Sequence, residues 1–271
     1  MLSVRYNRTA SRATANLHRT QSELSDVLGQ LSTGRRINRA ADDPAGLAIA
    51  TNIQIRIRSA AQSMRNTSDG ISMIQTAEGA MNTVADLLTR MRELATQSAS
   101  ETLADTDRLY VNDELEQLVD EVTRIADSAE FNGVSLLRGV GSLSVQVGPD
   151  NNGDNRFDIA LANMAATALG LGGIDLRTVS GARTALDQID VAIDLVNGAR
   201  SRKGAEQNRL DSALRSSVTS TEALSSSGSQ IMDLDYARAA SRLARLQIMQ
   251  QAGTAALVQA RDLGRSIVSL L

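Results

Sequence analysis

Two groups of acidic side chains come nearest to the composition and spacing of a metal site. Asp42 and Asp43 are adjacent and precede a proline, a pattern typical of turns and helix caps, and no third ligand lies nearby. Asp150, Asn152 and Asp154 occupy alternate positions, as in a calcium loop. The glycine of that loop is misplaced, however, and its bidentate glutamate is missing. We therefore predict turn and cap roles for both groups, and no metal ion.

Catalytic and phosphate-binding chemistry has equally little support. His18 is the only histidine, no serine is recognisably paired with it as a nucleophile, and the chain has no cysteine. The glycines at 139–141 and 170–173 do not complete a phosphate-binding spacing between a strand and a helix. The pI near 5.3 and the 2% of aromatic residues argue against nucleic-acid binding. We predict a protein that is not an enzyme and has no catalytic residues or cofactors.

The composition favours long helices instead. Only two of the 271 residues are proline, and 42% are hydrophobic although few are aromatic. No run of about 18 apolar residues predicts a membrane span, and the arginine-bearing amino terminus lacks the apolar core of a secretory signal peptide. Residues 1–40 carry a net charge of +5 and residues 231–271 carry +2, which leaves −10 for the middle.

Heptad seams, with apolar or small residues at alternating steps of three and four, lie near both ends of the chain. The first seam consists of Ala10, Ala13, Leu17, Thr20, Leu24, Val27 and Leu31. The second consists of Met249, Gly253, Ala256, Ala260, Leu263, Ile267 and Leu270. Residues 231–271 contain no proline and predict one continuous helix about 60 Å long, which a chain of this size cannot cover with its own core. Residues 231–271 therefore need a partner helix, and further contacts must bury the apolar surface that one partner leaves exposed.

Between the seams, the apolar spacing predicts a helix from Pro44 to about residue 97, after a break at residues 38–44 that follows a helix stop at Gly34. Asp69–Gly70 is a possible kink in that helix. A second helix carries a seam over residues 115–129 and is predicted to stop at Phe131-Asn132-Gly133.

A change of period to two predicts a β-hairpin further along the chain. Leu143, Val145 and Val147 alternate with polar residues, as do the residues at 157, 159 and 161, and a polar turn separates them. A last long helix is predicted from Ser180 to about residue 227. A Ser/Gly-rich linker at residues 225–229 then leads into the C-terminal segment, residues 231–271.

Motifs along nearly the whole chain resemble those of the bacterial flagellins. Residues 31–50, LSTGRRINRAADDPAGLAIA, resemble the family signature LSSGxRINxAxDDxAGxAIA position by position. Further matches follow in the family's order: RNTSDGIS at 65–72, EGA at 78–80, RELA at 92–95, FNG at 131–133, QVG at 146–148, GAEQNRL at 204–210 and QIMQQAG at 247–253. The last two also favour flagellin over the hook–filament junction protein, which shares the terminal pattern.

The resemblance implies a mainly α fold, with long antiparallel helices and one small β-hairpin. Residues 1–42 would pair with 231–271 as an inner coiled coil lining the filament channel, and residues 43–230 would form an outer helical rod with the hairpin at about 140–165. The chain would be a short flagellin without the large variable outer domains. The hairpin would then sit at contacts that let protofilaments switch between two packings.

The function implied is that of a structural subunit that self-assembles into the flagellar filament, the motility propeller outside the cell. Export without a cleavable signal peptide would follow, with an export chaperone at the C-terminal region, the flagellar export apparatus, the filament cap and the hook-junction proteins as partners. Nucleic acid and membrane insertion are not expected. The alternatives are a hook–filament junction protein and a non-polymerising helical binding module or adhesin, which would keep its ends folded as a monomer.

Recognition by a vertebrate Toll-like receptor is also implied, because Leu88, Arg90, Leu94 and Glu114 match the positions that the family resemblance assigns to it. An alternative needs no receptor. The two leucines would then be packing residues, and Arg90 with Glu114 would form filament contacts or a solvated ion pair.

Overall fold

A computed structural model of the chain describes residues 7–139 and 141–269, and the side chains up to residue 262. Its five long helices are α1 (Arg8–Thr33), α2 (Pro44–Ser98), α3 (Asp105–Ser128), α4 (Val179–Met232) and α5 (Tyr236–Ser269). Four short strands lie between α3 and α4: β1 (Glu130–Phe131), β2 (Val134–Ser135), β3 (Ser142–Gln146) and β4 (Arg156–Ala160). The mainly α fold is thereby confirmed. None of the described helices is long and apolar enough to cross a membrane.

Contacts within the chain divide it into two compact units. The terminal unit comprises residues 7–57 and 222–269 of the described chain, and the central unit comprises residues 58–221. Helices α2 and α4 contribute to both units. The inner and outer domains that we expect, divided after residues 42 and 230, remain a prediction.

The ends of α1 and the start of α2 follow from local side-chain chemistry. Helix α1 ends at Gly34, whose φ of 69° is left-handed and suits glycine. The carboxylate of Asp42 accepts hydrogen bonds from the backbone N–H groups of Asn38 and Arg39, which lower its pKa. Asp43 accepts from the N–H of Gly46 in the first turn of α2. The turn and cap roles predicted for the two aspartates are confirmed.

The core of the central unit is built from aliphatic side chains on three helices. Met81, Val84, Leu88 and Met91 of α2 are fully buried. They pack in one cluster with residues of α3 and α4 that include Leu115, Val122, Ile189, Ala192 and Val196. Among the described residues, Phe157 is the one aromatic side chain buried in this cluster, and the rest of its buried members are aliphatic residues and methionines.

Buried side chains order the connection between α2 and α3 and link it to the loop before α4. The Arg108 side chain is 2% exposed, and its Nη2 donates to the carbonyls of Ser100 (2.7 Å) and Leu103 (3.1 Å). Nearby, the hydroxyl of Ser98 donates to the carbonyl of Leu176, whose own N–H donates to Asn112 Oδ1. These bonds satisfy the carbonyls of Ser100 and Leu103 in the connection and both backbone groups of Leu176.

The helix stop predicted at residues 131–133 is wrong. Helix α3 ends earlier, at Ser128, and the Asn132-Gly133 pair forms the turn of a small hairpin that joins β1 to β2. Both residues have positive φ, 51° and 77°, the geometry of a type I′ turn. The same dipeptide suits a helix stop and a hairpin turn, and the short strands give no alternating pattern that would distinguish them.

The linker predicted at residues 225–229, between the last two helices, is also wrong. Helix α4 continues through it, with the hydroxyl of Ser227 bonded to the carbonyl of Ala223. The small residues serve packing here: a β-carbon placed on Gly228 would lie 3.4 Å from Ile53 Cγ2 of α2. The chain breaks at residues 233–235 instead, where Asp235 accepts from the N–H of Arg238 at the start of α5. The single helix predicted over 231–271 is therefore divided between α4 and α5.

The larger hairpin forms as predicted, and its register places Leu143 opposite Ile159 and Val145 opposite Phe157. Helix α2 runs unbroken past Gly70, the suggested kink. A β-carbon placed on Gly70 would lie 3.4 Å from Val145 and 3.5 Å from Ile159, so this glycine marks a close approach of the hairpin to α2.

Side chains of α4 hold the edge of β4. The sole lysine, Lys203, is buried and donates to the carbonyl of Ala160 and, at 2.8 Å, to Glu206. Glu206 in turn accepts from the N–H of Ala160. One helical turn further along, the guanidinium of Arg209 lies 4.6 Å above the ring of Phe157.

Candidate assembly surface

Helices α1 and α5 pack against each other and run antiparallel. Asn7 Nδ2 donates to the carbonyl of Ala260 at 2.7 Å. A β-carbon placed on Gly253 would lie 3.3 Å from Leu17 Cδ1, and Arg242 pairs with Glu23 at 3.3 Å. Later residues of α1 thus contact earlier residues of α5, which is the order expected of antiparallel helices.

The amino-terminal seam lies on the shielded side of α1. Thr20 and Val27 are buried, and the other five predicted positions, Ala10, Ala13, Leu17, Leu24 and Leu31, are half-buried. Thr20 also bonds the carbonyl of Asn16, which satisfies its hydroxyl.

The shielded positions of α5 follow a different heptad from the predicted one. They are Ala239, Leu243, Leu246, Gln250, Gly253, Leu257 and Ala260. Of the predicted seam, Gly253 and Ala260 belong to this set, whereas Met249 and Ala256 are exposed. The side chains of Leu263 and Ile267, and the whole of Leu270, lie outside the described part of the chain. Both heptads consist mainly of apolar or small residues, with Gln250 as the exception, so spacing alone could not choose between them.

The exposed side of α5 carries no charge over four turns. Residues 246–260 contain no Asp, Glu, Lys or Arg. Ile248 is 66% exposed, Val258 59% and Met249 48%. A helix that is apolar or uncharged around its whole circumference is typical of a buried helix, yet α1 covers only one side of this one.

The exposed side of α1 is polar by contrast. Arg12, His18, Arg19 and Glu23 are exposed there, and Leu28 is its one large exposed apolar residue among those described. A basic stripe of Arg238, Arg242 and Arg245 lines an open groove of α5 beside Glu23. The described part of the helix pair therefore has one polar and one largely apolar outer surface.

The four residues matched to receptor recognition fall into two environments. Leu88 and Leu94 are buried in the central core. Arg90 is exposed and donates to Glu114 at 2.8 and 3.0 Å, and to Glu93 at 3.1 Å. These hydrogen bonds, the one to Glu114 first, raise the pKa of Arg90. Only the charged pair is accessible at the surface.

Sequence comparisons agree with the motifs. Residues 4–142 match the bacterial flagellin N-terminal helical region, and residues 186–271 match the C-terminal helical region. A flagellin of Halalkalibacterium halodurans is 38% identical over 269 residues, which cover 99% of each chain. The flagellar filament core protein flaB2 of Brachyspira hyodysenteriae is 37% identical over 281 residues, which cover 98% of each chain.

Solved structures agree as well. A Bacillus cereus flagellin superposes with a TM-score of 0.51 and 30% identity, over 56% of this chain and 88% of that one. A putative flagellar hook-associated protein from Vibrio parahaemolyticus gives a TM-score of 0.61 over 71% of this chain and all of that one; at 18% identity it shows the fold alone. With both terminal regions matched and relatives aligned end to end, the chain belongs to the bacterial flagellin family.

Proposed function

We propose that this chain self-assembles into the flagellar filament through its terminal helices, as a structural subunit. The family and the relatives named as filament proteins support the subunit role. The match over nearly the full length of relatives this short supports a flagellin that lacks large variable outer domains. The observation that carries the role of the terminal helices is the uncharged, exposed face of α5.

Burial of that face would favour association. Ile248, Met249 and Val258 each expose about half or more of their surface. Covering those exposed portions is worth roughly 3 kcal/mol per copy. Each copy in a helical array meets several neighbours, so this modest gain repeats along the filament. Neighbouring copies of the same chain supply the cover that α1 does not.

We also propose two domains for the filament subunit. Residues 1–42 and 231–271 would form the inner coiled coil, and residues 43–230 would form the outer rod. The antiparallel packing of α1 and α5 supports the pairing, and the separation of a terminal from a central unit supports the division. The residues proposed for assembly are the predicted seam positions on both helices, together with the exposed side of α5.

A charge on the outer face of α5 tests this proposal. Ile248→Glu should leave the monomer folded, because the side chain is mostly exposed, but it should abolish seeded polymerisation by placing a charge in the buried contact. Gln21→Glu adds the same charge on the exposed, polar side of α1 and serves as the matched control. Sedimentation and electron microscopy of the purified protein give the readout. Normal filaments from Ile248→Glu would contradict the proposed contact.

The alternatives predict different behaviour of the unmodified chain. A hook–filament junction protein would not extend into long homopolymers. A free binding module or adhesin would neither polymerise on seeding nor lose activity when residues 1–40 and 231–271 are removed. Long filaments formed by the purified chain alone would exclude both alternatives.

The remaining partners are proposed from the family. The filament is extracellular, and we propose that the chain reaches it without a cleavable signal peptide, through the flagellar export apparatus. An export chaperone that covers the C-terminal region would shield the uncharged face of α5 before assembly. Contacts with the filament cap and the hook-junction proteins would lie at the filament ends. Co-purification of the chaperone with the full chain, and its loss on removal of residues 231–271, would test the first of these.

Receptor recognition is proposed for the exposed pair alone. Arg90 and Glu114 are accessible, whereas Leu88 and Leu94 support the helix from beneath. Arg90→Asp should reduce the response of receptor-bearing cells to the monomer, with Arg124→Asp, another exposed arginine of the central unit, as the control. A full response to Arg90→Asp would contradict the proposal.

A further inference from the structure

The turn after α1 and the turn after α4 are joined through their backbones. The N–H of Arg36 donates to the carbonyl of Met232 at 2.7 Å, and the N–H of Leu234 donates to the carbonyl of Gly34 at 3.0 Å. Arg35 and Asp233 thereby form an antiparallel bridge. We call this contact between residues 34–37 and 231–236 the joint.

Side chains reinforce the joint from three directions. The guanidinium of Arg36 donates twice to the carbonyl of Ile231, at 2.8 and 3.2 Å. Beneath it, Ile37 is 2% exposed and packs with Ala50 and Met232 in a cluster separate from the central core. The side-chain amide of Gln30 donates to the carbonyl of Arg36 and ties the last turn of α1 to the same place.

Gly34 has a conformation that other residues rarely adopt. Its φ is 69°, and a β-carbon there would lie 2.9 Å from the hydroxyl of Tyr236, at the first residue of α5. The hydroxyl can move aside, so the backbone angle is the stronger constraint. Helix α1 thus ends, and helix α5 begins, against the same glycine.

The seams of α1 and α5, which meet at the joint, do not define their own register. Apart from Thr20 and Gln250, both are heptads of small and aliphatic residues, so a slip of seven residues would again place mostly apolar positions opposite apolar positions. Polar contacts that would resist a slip are few along the described pair, chiefly Asn7 with Ala260 and Glu23 with Arg242. The second of these is exposed and therefore weak.

We infer that the joint is the device that sets the axial register of the α1–α5 pair. Its backbone bonds hold the end of α1 beside the start of α5, and the pair then closes from the joint towards the chain ends. A change in the joint will therefore make the helices slip by a heptad or separate, even though every seam residue is intact.

Cysteine cross-linking of the full-length chain tests this directly, because the sequence contains no other thiol. The pair Leu17→Cys with Gly253→Cys reports the observed register. The pair Leu24→Cys with Gly253→Cys reports a slip of one heptad. Each pair is oxidised under mild conditions in the free chain and in sedimented polymer, and intramolecular links are separated from intermolecular ones on non-reducing gels.

Each reporter is placed in three backgrounds: parent, joint variant and control. The joint variant is Gly34→Val with Arg36→Ala. The control is Gly29→Val with Arg12→Ala, which makes the same changes at exposed positions of α1, where a β-carbon on Gly29 meets nothing within 4 Å. We expect the in-register link to fall about tenfold in the joint variant, whether the slipped link rises or both disappear, and to stay at the parent level in the control.

The inference is overturned if the joint variant keeps the in-register link at the parent level, because the seams would then set the register themselves. An equal loss in the control would also overturn it. The free-chain measurement does not depend on polymerisation, so failure of the parent to form filaments would contradict the proposed function while leaving this result readable.

Discussion

The two units of the chain use the same kind of helix in different ways. In the central unit, three helices and a hairpin surround Met81, Val84, Leu88 and Met91, which are inaccessible to solvent. In the terminal unit, α5 has a similar density of apolar residues, but α1 covers only one side of it. Apolar spacing therefore indicates which residues favour burial, whereas only the structure shows how much of that burial the chain itself provides.

The sharpest test of this comparison replaces one apolar side chain in each unit. Leu88→Ala should lower the free energy of unfolding by about 3 kcal/mol, because it leaves a cavity in a packed core. Ile248→Ala should change monomer stability by less than about 0.5 kcal/mol, because the residue is already exposed. Urea denaturation of the free chains measures both. Equal losses would show that α5 is covered within the monomer.

A second test removes the buried arginine of the central unit. Arg108→Ala should lower the free energy of unfolding by about 2–3 kcal/mol, because the carbonyls of Ser100 and Leu103 lose their buried hydrogen-bond donor. Arg124→Ala, which breaks only an exposed pair with Glu121, should cost less than about 0.5 kcal/mol. Thermal unfolding followed by circular dichroism compares the two. A similar shift in midpoint would mean that the Arg108 bonds add nothing to stability.

A third test concerns Gly70, the suggested kink in α2. The neighbours of Gly70 leave just enough room for a methyl group, so Gly70→Ala should stabilise the chain by about 0.5–1 kcal/mol through helix propensity. Gly79→Ala, in open space on the same helix, provides the reference value. Destabilisation by Gly70→Ala alone would indicate that the glycine is needed for a bend.

The smallest effect concerns pH. A hydrogen bond from Arg92 lowers the pKa of Asp190 below its ordinary 3.8. The stabilisation is therefore fully present above the unfolded value and is lost as the pH falls through the lowered folded value. Asp190→Asn should slightly reduce stability at pH 7 and match the parent near the acid limit. Asp194→Asn on the same helix is the control, and a parent-mutant difference independent of pH would contradict the assignment.

Local signals in the sequence predicted much of the framework. Gly34 marks the end of α1 because glycine readily adopts a positive φ. Pro44 marks the start of α2 because its fixed φ suits the first turn of a helix. Alternation of apolar and polar residues at 143–147 and 157–161 predicted the hairpin, and the structure adds its register, with Leu143 opposite Ile159.

Features that depend on distant partners were not predictable in the same way. The covered side of α5 is chosen by contact with α1, and Leu246 is buried where spacing favoured Met249 equally. The burial of Arg108 and of Lys203 depends on carbonyls that only the fold brings within reach. The bond from Arg36 to Met232 joins residues nearly two hundred positions apart, and no local pattern indicates it.

Hydrogen exchange of the backbone amides, compared between monomer and filament, tests the central claim most directly. Amides of α5 around Ile248 and Ala255 should exchange faster than those of the central core in the free chain, where only α1 covers the helix, and should slow by about a hundredfold or more on polymerisation. Amides of α2 around Val84 and Met91 should be protected in both states. Strong protection of α5 in the free monomer, unchanged by assembly, would contradict the claim that neighbouring copies complete its cover.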